Sequence, residues 1–344
     1  MREQQLTTRS IPVLRQWRLI LGLAISALFV VWLWHQVGNF SAIGFALREA
    51  NYLYLLPALA VYFFGVWIRA ARWHYLLRPL KSIPPQRLFP VLVIGYMAND
   101  ILPARLGEFV RAYVLGDREK LPTAAILGTI VVERTLDGIA MLIFVIGATL
   151  FIPLDPALQR VFQIAAAVFI CAIVVFVVLA SSRSLALAVV GTVTRPLPER
   201  PRLLVTEIAD RFLAGFHSLR SIRLTLAALG LSLAAWLAES GMYLIIGTHV
   251  FGLSLPPSAY ILTTAFANLF AMVPSAPGYI GPFDAGALGS LALFGLTGSG
   301  VGTAYVFVLH LALLIPVSLL GFVYLWRYGL SLRTLWSSKA RSES

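Results

Sequence analysis

Charge is scarce in this chain. Only 12% of its 344 residues are Asp, Glu, Lys or Arg, 59% are hydrophobic, and the mean hydropathy is +0.84. With several apolar runs near 20 residues, this is the composition of a polytopic membrane protein. Cysteine is nearly absent. The single Cys171 lies in the apolar run 161–180, which leaves no disulfide framework and no cysteine metal cluster, and it is expected to pack as a small hydrophobe. His-Glu-x-x-His, Gly-x-Ser-x-Gly and Cys-x-x-Cys are all missing. The glycine-rich Thr297-Gly-Ser-Gly-Val-Gly302 lacks the Gly-Lys-Ser/Thr ending of a phosphate loop. No catalytic residue, cofactor or metal ligand is therefore assigned, and the chain is not expected to be an enzyme.

What charge there is has one sign in excess, a formal +12. The Lys and Arg residues fall in short connections between apolar runs rather than on one basic face, which is the positive-inside pattern and argues against a nucleic-acid partner. Apolar spans read at about 19–38, 53–71, 123–151, 161–181, 224–250 and 303–326. The first follows Arg15 and Arg18, but its end has no small-residue cleavage site, so it reads as a retained helix rather than a signal peptide.

Two further stretches, 88–114 and 258–297, are apolar but broken by Pro, Gly and polar residues. Following Lys and Arg from side to side places Arg69, Arg72, Arg78, Lys81 and Arg87 in one cytoplasmic connection, and 183–223 in another. The expectation is an all-α membrane domain over 1–344 of about six transmembrane helices plus two broken segments in inverted halves, either both re-entrant or both crossing. The halves are 19–181 and 224–327, joined by a basic connector, 182–223, and followed by a tail, 328–344. Both termini would be cytoplasmic, in a bacterial or archaeal inner membrane. Within the connector, Leu204, Ile208, Phe212 and Phe216 recur at helical spacing, an interfacial amphipathic helix or else a solvated connector.

The broken segments carry the chemistry. Asn99, Asp100, Pro103, Arg105, Gly107, Glu108 and Arg111 sit in the first, and Asn268, Pro277, Gly278, Gly281 and Asp284 in the second. Both run Ala-Asn, proline, glycine, carboxylate. Interrupted segments in oppositely oriented halves point to a transporter site near the midplane. The neighbouring span adds Glu133, Arg134 and Asp137, whose spacing lets them pair. They read either as an ion-pair network that locks the fold or as part of the site. Arg105 and Arg111 suit bidentate binding of phosphate oxygens, with Arg111 also able to snorkel to the interface. Glu239 and His310 read as lone polar groups within their spans, His310 as a packing histidine or a proton carrier.

The motif Gly95-Tyr-Met-Ala-Asn-Asp-Ile-Leu-Pro-Ala-Arg-Leu-Gly-Glu-Phe-Val-Arg-Ala-Tyr113, with Val132-Glu-Arg-Thr-Leu-Asp137 and Val273-Pro-Ser-Ala-Pro-Gly-Tyr-Ile-Gly-Pro-Phe-Asp284, resembles the lysylphosphatidylglycerol synthase transmembrane, or flippase-like, family. The resemblance spans nearly the whole chain and implies functional roles for Asn99, Pro103, Arg105, Gly107, Glu108, Glu133, Arg134, Pro277, Gly278 and Gly281. Many relatives have Glu where this chain has Asp284. In two-part members the membrane domain moves an aminoacylated phospholipid while a separate soluble domain makes it. This chain looks like the membrane part alone.

The expected function is thus a lipid translocase, with Arg105 and Arg111 on the phosphate and Glu108, Glu133, Asp137 or Asp284 holding a cationic group or balancing the arginines. A membrane-embedded transferase acting on a polyprenyl-phosphate or phospholipid is the alternative. The partner is a membrane phospholipid, glycolipid or polyprenyl-linked lipid; a homo-oligomer or a lipid-synthesising partner stays open.

Overall fold

The computed structural model describes residues 40–102, 106–149, 156–273, 275–296 and 298–330, with positions 24, 27, 28 and 31. Most of the expected first span, and Pro103, Arg105 and Pro274, lie outside the described residues. The helices are α1 (Phe40–Glu49), α2 (Leu55–Leu77), α3 (Pro85–Ile101), α4 (Gly107–Glu119), α5 (Thr123–Thr149), α6 (Pro156–Ser181), α7 (Arg183–Val193), α8 (Glu199–Ala214), α9 (Ile222–Ile245), α10 (Pro257–Phe270), α11 (Pro282–Ala292) and α12 (Gly300–Arg327). No strand occurs among the described residues.

The chain is an all-α polytopic membrane protein. Among the described residues, three stretches, Tyr52–Leu77, Ile222–Val250 and Gly300–Arg327, are long and apolar enough to cross a bilayer. At 27 residues α5 matches them in length, but Glu133, Arg134 and Asp137 interrupt it.

The prolines in the sequence mark helix starts as much as breaks. Pro85, Pro257 and Pro282 each begin a helix, where the missing N–H costs nothing and the fixed φ is already helical. Ser221 and Ser299 cap α9 and α12 by accepting from Leu224 N–H and Gly302 N–H.

The two broken segments fold as hairpins. In the first, Gly107 N–H donates to Asn99 Oδ1 at 2.7 Å and Gly95 faces Gly107 and Arg111, so α4 runs back along α3. In the second, Ser290 Oγ donates to Thr263 Oγ1 at 2.7 Å and Gly286 faces Phe266 and Phe270, so α11 runs back along α10. The limbs have 17, 13, 14 and 11 residues, at or below the shortest helix that spans roughly 30 Å of hydrocarbon. Between the hairpins α2 and α9 lie antiparallel, from Asn51 N–H on Val250 O at 3.0 Å to Arg72 on Ser232 at 2.8 Å. The first hairpin packs through α3 on α12, and the second through α10 on α5.

Three expectations are corrected. Arg69 and Arg72 are not loop charges: α2 runs on to Leu77 and buries both, because the apolar stripe of Val66, Ala70, Trp73, Leu76 and Leu77 continues past them. Cys171 is exposed on α6 rather than packed inside. The amphipathic stretch divides, with Leu204 and Ile208 exposed while Phe212 and Phe216 meet edge-to-face at 5.1 Å and turn onto the core. That docking is backbone against backbone. A Cβ at Gly128 would overlap the Phe212 carbonyl, and one at Gly215 the Ala125 carbonyl. Gly128→Ala is expected to destabilise the protein by about 3 kcal/mol; an unchanged unfolding midpoint in detergent would show that α8 does not dock there.

Candidate functional site

A cavity of about 630 Å³ lies where the two hairpins meet, within the range of small-ligand sites. Their tips approach directly, since a Cβ on Gly278 would come 3.8 Å from the Asp100 carbonyl. Tyr62 and Arg69 of α2, Tyr96, Asn99 and Asp100 of α3, Glu108 of α4, Arg134 and Asp137 of α5, Glu239 of α9, Asn268 of α10 and His310 of α12 supply its polar wall. Leu127, Ile130, Val131, Met141, Trp236, Leu313 and Leu314 supply the apolar one.

An ion-pair network runs from the wall to Arg72, Arg111 and Glu133 behind it. Glu133 Oε1 accepts from both terminal nitrogens of Arg111 at 3.1 Å and from Arg134 at 2.5 Å, and pairs with Arg72 at 3.1 Å. Asp137 is held by Arg72, by Trp236 Nε1 at 2.9 Å and by Arg134 at 3.6 Å. A separate pair joins Arg69 to Glu239 at 2.7 Å, with Arg69 over the Trp236 ring at 4.4 Å and Asn268 Nδ2 donating to Glu239 Oε1 at 3.1 Å. Charges at this depth persist only because each has a partner.

These four arginines face three carboxylates, a surplus of one cation. Arg134, with 37% of its side chain exposed, is the network arginine most open to the cavity. Two further carboxylates share the cavity. Asp100 accepts from Ser318 Oγ at 2.8 Å, and Glu108 Oε2 is buried with no hydrogen-bond partner among the described residues.

The second tip is held differently. His310 Nδ1 lies 2.8 Å from Asp284 Oδ1 and its Nε2 lies 2.7 Å from the Gly278 carbonyl. Asp284 Oδ2 accepts from Gly281 N–H at 2.9 Å, closing the start of α11.

Of the residues singled out from the sequence, Asn99, Asp100, Glu108, Arg134, Asp137, Glu239, Asn268, Gly278 and His310 line the cavity. Arg111 does not. It is 2% exposed, held by Glu133 and stacked over Trp73 at 4.6 Å, so it braces the wall instead of binding a phosphate or snorkelling to an interface. Glu133 is fully buried behind it, and Pro277, Gly281 and Asp284 shape the turn. Arg105 lies outside the described residues. Glu239 and His310 are not lone groups, because each meets a partner from another helix. Sequence reasoning missed Arg69, Arg72, Tyr62, Tyr96 and Trp236. The available signal was the apolar stripe continuing beyond Arg72, which marks helix rather than loop.

Residues 19–321 match the family described as the lysylphosphatidylglycerol synthase TM region. The chain is 23% identical over 256 residues to a UPF0104 membrane protein of Methanothermobacter thermautotrophicus, covering 70% of this chain and 75% of that one. It is 32% identical over 133 residues to a UPF0104 membrane protein of Methanocaldococcus jannaschii, covering 38% of each. No solved structure matches. With both hairpins, the ion-pair network and the cavity inside the matched region, the chain belongs to the lysylphosphatidylglycerol synthase TM region family of multi-pass membrane proteins.

Proposed function

We propose that the protein is a lipid translocase whose cavity admits a lipid headgroup while the acyl chains stay in the bilayer. The observation that carries this reading is the meeting of two hairpin tips, Asp100 and Gly278, at a cavity with charged walls. Helix, hairpin and helix occur twice, as α2, α3–α4, α5 and then α9, α10–α11, α12. The corresponding helices α2 and α9 run antiparallel, and each hairpin packs on the closing helix of the other half. Arg69 and Glu239, 170 residues apart, pair across that antiparallel contact. Such inverted halves around a midplane site are the geometry of alternating access.

Charge supports an orientation. Arg78, Lys81, Lys120 and the connector arginines from Arg183 to Arg223 gather at one end, where Lys81 reaches Glu119 at 2.7 Å and Arg118 stacks on Tyr328. The connections 50–54, 246–256 and 293–299 carry no Lys or Arg. By the positive-inside rule the basic end, and with it the open end of the first hairpin, faces the cytoplasm.

Arg134 and Arg69 are the cavity's arginines, and Glu108 and Asp100 are its carboxylates outside the ion-pair network. Purified protein in liposomes carrying fluorescent lipids of varied headgroup is expected to exchange lipid between leaflets, unchanged in mass. A covalently altered lipid would instead mark a transferase, and no movement with any headgroup class would sink the reading.

A further inference from the structure

His310 is reached from both sides of one turn. A carbonyl oxygen only accepts hydrogen bonds, and so does an ionised carboxylate. The two ring nitrogens of His310 face one of each, Gly278 O at 2.7 Å and Asp284 Oδ1 at 2.8 Å. A neutral imidazole has a single N–H and satisfies one acceptor, leaving its other lone pair against an oxygen. We propose that His310 here is an imidazolium, and that this bound proton is both the latch of the second hairpin and the coupling ion of transport.

While the proton is present, one side chain of α12 fastens the carbonyl of Gly278 and the carboxylate that starts α11. When it leaves, one of the two bonds must break, and the turn loosens. The turn has reason to move. Gly278, Tyr279 and Gly281 all have positive φ, at 76°, 58° and 99°. For Tyr279, which carries a side chain, that conformation is disfavoured and needs outside support. Gly278 also forms the contact with Asp100 at the first hairpin's tip, so releasing it parts the two tips and opens the cavity.

Two carboxylates face this point. Asp284 faces His310 from α11, and Asp100, held by Ser318, from α3. From α2, Tyr62 and Arg69 share the cavity, the latter engaged by Glu239, and α10 contributes the neutral Asn268. The charges of α1, Arg48 and Glu49, are exposed. The proton exchanges with water in the cavity that His310 lines. Its role as coupling ion rests on the translocase reading; its role as latch does not.

The test combines three readouts on the full chain. Nitrogen-15 NMR of histidine-labelled protein, assigned through His310→Gln, is expected to show a doubly protonated ring at pH 6. Hydrogen exchange at 278–281, corrected for intrinsic rates, is expected to speed up about tenfold between pH 6 and pH 8.5, as one charge-assisted bond is lost. His310→Gln, which offers one donor and one acceptor, should exchange fast at both pH values. Asp284→Asn should exchange slowly at both, because the amide can donate to Nδ1 of a neutral ring while its oxygen still serves Gly281. A neutral ring at pH 6, or wild-type exchange that ignores pH, overturns the latch. In liposomes, an imposed pH gradient is expected to bias lipid movement, and a protonophore to abolish the bias. Lipid that moves without regard to the gradient overturns the coupling and leaves the translocase standing. A latch that switches in a protein that moves no lipid overturns the translocase reading and the coupling with it.

Discussion

Glu133→Gln is expected to cost the fold about 3 to 5 kcal/mol, the range for stripping one partner from a buried ion pair. One oxygen of Glu133 receives Arg111 and Arg134, and Arg72 pairs with the same carboxylate. The isosteric amide preserves the packing and removes the charge. Arg72 keeps Asp137 and Ser232, and Arg134 keeps Asp137. Arg111 keeps only the face of Trp73, at 2% exposure, so a full cation is stranded in the interior. The measurement is unfolding in detergent, with the folded fraction followed by size exclusion. The double change Arg111→Met with Glu133→Gln should recover part of the loss, because it removes the stranded charge and leaves an apolar side chain of comparable reach. A single variant as stable as wild type would show that Glu133 is solvated and that the network does not hold α4 to α5.

The sequence made the architecture legible where pattern is local. Apolar runs near 20 residues marked α2, α9 and α12, and clustered Pro, Gly and Asn marked both hairpins, because a helix interior tolerates those residues poorly. The pairing of Arg134 with Asp137 was likewise readable from their spacing on one helix turn. What escaped was long-range. Arg69 and Arg72 looked like loop charges because their partners, Glu239 and Asp137, lie 170 and 65 residues away. Arg111 looked like a phosphate ligand for the same reason: nothing in its own segment reveals that Glu133 takes both of its terminal nitrogens. The site therefore divides into cations that brace the cavity and groups that face it, a division set by which helices pack together rather than by the motif that contains them.

Glu108 falls on the facing side of that division, and Glu108→Gln is expected to slow lipid translocation about 10- to 100-fold while changing stability by no more than ~0.5 kcal/mol. Its Oε2 is buried at the cavity wall with no partner among the described residues, whereas both oxygens of Asp137 and of Glu239 are engaged, and the similarly unpaired Oε2 of Glu133 belongs to a residue that does not line the cavity. A buried acceptor without a donor costs free energy in the resting state, and natural folds keep such groups where a ligand supplies the missing bond. The amide has the same shape but forfeits a charge-assisted bond worth roughly 1.5 to 3 kcal/mol, which sets the size of the rate loss if that bond is made at the barrier to headgroup passage. Glu133→Gln should show the opposite profile, a large loss of stability, so the two variants separate bracing from binding although Arg111, the partner of Glu133, lies only three residues from Glu108 on α4. Rates come from the liposome assay and stabilities from unfolding in detergent. A Glu108→Gln protein that moves lipid at the wild-type rate would remove Glu108 from the headgroup site. One that unfolds early would make its carboxylate another brace.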